Sequence, residues 1–62
     1  MRAEILDICL ETLRVQGFPE ASAHSVMHDP ALAAAAVGLL RDCRPMPVIV
    51  ALIDELEAVA RT

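Results

Sequence analysis

The chain contains no lysine, no tryptophan and no tyrosine, and its only aromatic residue is Phe18. The missing lysine leaves five arginines to answer nine carboxylates, a formal charge of −4. Attachment to a phosphate backbone requires clustered cationic side chains. Here Arg2, Arg14, Arg41, Arg44 and Arg61 are scattered, with only Arg41 and Arg44 near each other. Nucleic acid and anionic membrane surfaces are therefore disfavoured as partners. Two cysteines are too few to frame a secreted disulfide module. Met1-Arg2-Ala3-Glu4 meets an acid before any apolar run, unlike a signal peptide. The longest uncharged stretches, 31–40 and 45–53, fall well short of the roughly 20 apolar residues that cross a bilayer. A cytoplasmic protein without a membrane span is expected. The alanine and arginine bias also suggests a GC-rich bacterial or phage genome.

What the sequence does have is apolar surface in excess. Apolar residues make up 56% of only 62 positions, and a domain of this length hides about 60% of the surface its unfolded chain exposes. One helical domain over 1–62 is the expected organisation, with no repeat or linker. Its surplus Leu, Ile, Val and Ala side chains must face something, either a second copy or a partner.

Glu4, Asp7, Glu11 and Arg14 step by three and four, which draws one wet stripe along a helix over 3–15. Ile5, Leu6, Ile8, Cys9, Leu10, Leu13 and Val15 fill the remaining arc, which is wider than one small core requires. Gly17 is placed to cap this helix and Pro19 to forbid its continuation. A short helix is predicted over 19–28, its apolar face (Ala21, Ala23, Val26, Met27) diluted by Ser22 and Ser25. Asp29-Pro30 reads as an N-cap followed by a first helical residue, and the helix it starts runs to about Cys43. Because no polar side chain interrupts 31–40, that helix is expected to be buried almost all round.

Pro45 and Pro47 break the pattern, and Pro47 opens a last helix that runs to about Ala60. Ile49, Leu52, Ile53, Leu56, Val59 and Ala60 form its apolar stripe. Val48–Ile53 alone would also suit a buried strand, but 54–58 continues the helical period and no partner strand exists. The expected fold is all-α, a small bundle of three main helices plus one short helix, completed by dimerisation or by a partner.

Candidate chemistry is sparse. His24 and His28, four apart, share a helical face and with Cys9 or Cys43 could complete a metal site. No Glu follows His24 and no Cys-x-x-Cys exists, so two polar residues near a helix end are the simpler reading, with no metal or cofactor expected. Cys9 and Cys43 both fall on apolar faces, where free cysteine packs as a small hydrophobe. Arg41 and Arg44 beside Cys43 keep a redox role open. Ser22 and Ser25, in Ala-Ser-Ala and His-Ser-Val, lack the Asp-Ser-Leu setting of acyl carrier proteins. Glu57 and Arg61 are spaced for an exposed ion pair.

These readings point to a noncatalytic interaction protein, a small regulator, inhibitor, antiactivator or chaperone that masks a partner's surface. Ile5, Ile8, Leu13, Val48, Ile49, Leu52 and Leu56 are the expected contact, with Glu4, Asp7 and Glu11 as its rim. The alternative is a dimeric helix-turn-helix regulator with 30–43 as recognition helix. Its first turns, however, offer no hydrogen-bonding side chain to a base edge. A third reading is a metal- or redox-responsive module built on His24, His28 and a cysteine. No set of residues has the arrangement of a known enzymatic reaction.

Overall fold

The structure, a computed structural model, describes residues 2–62. Four helices follow in order: α1 (Arg2–Val15), α2 (Ala23–Val26), α3 (Pro30–Arg41) and α4 (Pro47–Ala60). The fold is all-α, with no strand among the described residues, and the apolar start of α4 is helical.

α1 stops at Gly17, which takes a φ of +117°, a conformation that costs glycine little and other residues much. That turn lets the Phe18 N–H reach back to the Leu13 carbonyl at 2.9 Å, closing the helix end in the manner of a Schellman motif. Pro19 then occupies the second position of a turn closed by Ala21 N–H on the Phe18 carbonyl, 3.0 Å away. Arg14 fastens this connection to α1, its Nε–H donating to the Ala21 carbonyl at 2.8 Å.

α2 is shorter than the expected 19–28, because the serines start it instead of diluting it. Ser22 is the N-cap and accepts from the Ser25 N–H at 3.0 Å, while Ser25 Oγ accepts from the Ser22 N–H at 2.8 Å. This reciprocal capping box confines Pro19 and Glu20 to the preceding turn. α3 begins as the sequence indicates, with the Asp29 carboxylate accepting from the N–H groups of Ala31 (2.9 Å) and Leu32 (3.4 Å). It ends at Arg41, two residues before the expected Cys43. There the Asp42 and Cys43 N–H groups bond only three residues back, to Leu39 and Leu40, tightening the last turn ahead of Pro45.

α3 is the organising element and contacts α1, α2 and α4, with its largest contact against α4. α3 and α4 run antiparallel: Leu40 and Cys43 share a groove with Ile49, while Ala34 and Val37 lie beside Ala60 and Arg61. α1 is also antiparallel to α3, since Phe18 lies near Asp29 and Leu32 whereas Ile5 lies near the end of α3. Leu32, Ala33, Ala36, Val37 and Leu40 of α3 are buried. The expectation that α3 is buried all round is corrected, because Ala31, Ala34 and Gly38 face solvent. Its neighbours cover one broad side, and small uncharged residues on the other side give no polar signal of their exposure. Across the α3–α4 seam, Arg41 Nη2 meets Glu57 Oε2 at 2.6 Å. Glu57 therefore pairs with α3 and not with Arg61 as its spacing suggested.

Among the described residues, thirteen apolar side chains form one buried cluster, with Leu13, Val26, Leu52 and Leu56 fully enclosed. The accessible surface is 4025 Å², close to the roughly 3,900 Å² that size scaling gives a monomer of this mass. Part of the apolar excess is enclosed in this cluster. Its large exposed remnants are Ile8, Val15, Met46 and Val50.

Candidate functional site

The residues expected to form a contact surface divide sharply by depth. Leu13, Ile49, Leu52 and Leu56 belong to the interior, with exposures of 0, 6, 1 and 0%. The stripes that carry these four are covered by the chain's own helices. Ile5 and Val48 are half-buried and pack against that core. Ile8 alone among the seven projects outward, at 68% exposure. Glu4, Asp7 and Glu11 are exposed, as expected of a rim.

Ile8 stands at the lip of a half-open groove of about 240 Å³. One wall is α1, through Ile5, Ile8, Cys9 and Thr12; the opposite wall is the end of α3, through Leu39 and Leu40, with Cys43 just beyond. Ile49 at the start of α4 closes one end. The polar side chains on these walls all point to carbonyls of the chain itself. Thr12 Oγ1 donates to the Ile8 carbonyl at 3.0 Å. The Cys9 thiol points to the Ala36 carbonyl at 3.9 Å and the Cys43 thiol to the Leu39 carbonyl at 3.8 Å. Most of the surrounding backbone is helical and bonded within its helix, while the start of α4, where Ile49 lies, has no side-chain cap.

The cysteines differ more than the sequence implied. Cys9 is buried, but Cys43 is exposed at the groove's edge, a correction to its expected core position. Burial pushes the Cys9 thiol up from the ordinary range, and the nearby Cys43 acts in the same direction. Cys9 therefore stays a protonated thiol at neutral pH. Arg41, which was to activate Cys43, is engaged by Glu57.

His24 and His28 stack, with ring centroids 4.3 Å apart. The His28 Nδ1 lies 2.8 Å from the His24 carbonyl, leaving its Nε2 outward. Among the described residues no three His, Cys, Asp or Glu side chains gather to hold a metal ion. α2 is a single turn of four residues, and the outward start of α3 consists of Pro30, Ala31 and Ala34, none of which can read a base edge.

The sequence reading missed Thr12, Leu39 and the exposed Cys43 as groove residues, and Val15, Met46 and Val50 as exposed apolar groups. A signal for Ile8 and Val15 was present. Positions 4, 8, 11 and 15 share one helical stripe, so Ile8 and Val15 interrupt the wet face drawn by Glu4 and Glu11. No described helix is long and apolar enough to cross a membrane. No protein-family model, curated protein or solved structure matches the chain, so its function is argued from these residues alone.

Proposed function

We propose that this chain is a small noncatalytic module that recognises a protein through the α1–α3 groove and masks the surface it covers. The observation that carries this reading is Ile8. A large aliphatic side chain, 68% exposed, sits at the mouth of a groove whose polar side chains are turned to the chain's own carbonyls. Such a surface gains by removing apolar area from water and offers little to a polar substrate. The groove is also smaller than the roughly 300–1,000 Å³ usual for small-molecule sites. It suits a few aliphatic side chains from another protein better than a cofactor. A cytoplasmic regulator, inhibitor, antiactivator or chaperone, bacterial or phage in origin, fits this behaviour.

The test is affinity capture from the native host using the wild-type chain and Ile8→Gln, with stoichiometry determined for each bound protein. Ile8 is exposed, so the substitution leaves the core intact, which circular dichroism verifies. Loss of one near-stoichiometric partner from the Ile8→Gln sample is expected. Identical capture by both chains overturns the assignment of the groove.

A further inference from the structure

We infer that the occupant of this groove is a basic amphipathic helix of a partner protein. The inference rests on the reading of the groove as a protein-docking site and names the chemistry of what docks.

An extended peptide brings unpaired N–H and C=O groups, and burying them without partners costs free energy. The groove provides no continuous row of acceptors and donors for them, because its walls are mostly helical and Thr12, Cys9 and Cys43 donate to carbonyls of the chain itself. No sheet edge exists among the described residues to receive a strand. The occupant must therefore satisfy its own backbone, which a helix does, and present aliphatic side chains at i, i+3 or i+4 and i+7.

Glu4 and Glu11 share the outward stripe of α1 with Ile8, and Asp7 lies beside them. All three are exposed, and no described residue forms an ion pair with any of them. The chain as a whole carries −4. Lysine or arginine flanking the apolar stripe of a partner helix would meet this acidic lip. A second copy would bring its own charge of −4, and like net charges oppose association. Complementarity therefore favours a basic partner over self-association.

Two synthetic helical peptides test this. One carries leucine at i, i+3, i+4 and i+7 flanked by lysine; its twin replaces each lysine with glutamate. Binding is followed by amide chemical shifts of the labelled chain and by the rate at which iodoacetamide alkylates the exposed Cys43. The lysine peptide is expected to shift resonances of Ile8 and Thr12, to slow Cys43 alkylation, and to bind at least about tenfold more tightly than its twin at low salt. The preference should shrink as added salt shortens the screening length to a few ångströms. The double variant Glu4→Lys, Glu11→Lys should reverse it, and Ile8→Gln should weaken both peptides.

Equal binding of the two peptides in the groove would overturn the basic partner while leaving the docking site in place. So would a chain that binds neither and sediments as a dimer split by Ile8→Gln, since the occupant is then a second copy. If neither peptide binds, the chain is monomeric and host capture is unaffected by Ile8→Gln, both readings fall.

Discussion

The two sides of α3 show what the same kind of apolar pattern becomes when it is covered and when it is not. On the α4 side, Ala34 and Val37 of α3 lie beside Glu57 and Ala60, and Leu52 and Leu56 of α4 are shut off from water. Small residues there allow the two backbones to approach, and an ion pair bridges the rim. Against α1 the fit is looser. Ile5, Ile8 and Leu39 diverge around an open groove, and Ile8 remains largely in water. Hydrophobic content is similar on both sides. Close fit distinguishes the seam that stabilises the fold from the one that remains available to a partner.

The comparison breaks most visibly if the closed side is hollowed out. Leu56→Ala deletes a fully buried side chain and should cost about 3 kcal/mol. A core of this size rarely supplies more than about 3–5 kcal/mol in total, so urea titration should find a large unfolded fraction even before denaturant is added. Ile8→Ala, the matching truncation on the open side, should move the same transition by no more than about 0.5 kcal/mol. Equal losses at the two positions would erase the distinction.

Smaller effects sharpen it at the connections. Gly17→Ala places a Cβ in open space but at a φ of +117°, so strain of about 1 kcal/mol or more should appear as a lower melting temperature. Ser22→Ala removes one arm of the capping box and should cost about 1 kcal/mol in the same assay. Arg41→Ala breaks an ion pair whose side chains are 62% and 33% exposed. It should cost about 0.5 kcal/mol or less, and less still in high salt.

The thiols give the finest contrast. At neutral pH Cys43 should react with a thiol reagent in the folded state, and Cys9 only as fast as the chain opens. The folded state holds the Cys9 proton more tightly than the unfolded state, since its pKa is raised. Its contribution to stability is therefore complete below the ordinary thiol value of 9.0 and is lost as pH rises from there through the folded value. Cys9→Ala should flatten that alkaline decline in a pH series of denaturant titrations.

Much of the architecture was legible because it rests on local rules. The steps 4, 7, 11 and 14 fixed α1, Gly17 stopped it, Asp29-Pro30 began α3, and Pro47 began α4. The start of α2 was obscured because Ser22 and Ser25 read as diluents of an apolar face until their mutual hydrogen bonds made them a cap. The outward face of α3 was hidden for another reason: alanine and glycine look alike whether covered or bare. Glu57 found its partner across space, sixteen residues away, where spacing along one helix could not reveal it.

The candidate site was legible only in part. Periodicity identifies which residues share a stripe but not which edge of a wide stripe a neighbouring helix will cover. Leu13, Ile49, Leu52 and Leu56, expected at a contact, are consequently enclosed by the chain's own helices. Ile8 was the exception, marked by its position among the acids of the wet face.

The short connection between α3 and α4 has a consequence for how the chain reaches this state. Only Asp42–Met46 separates the two helices that contact each other most. Closing so brief a loop takes well under a microsecond, and domains rich in such local pairings fold within microseconds to milliseconds. The α3–α4 hairpin is therefore the natural nucleus, with α1 arriving from farther along the chain. In the transition state for folding, Leu52 and Leu56 should already be packed while α1 is still unattached, so the docking wall is the last part to be built.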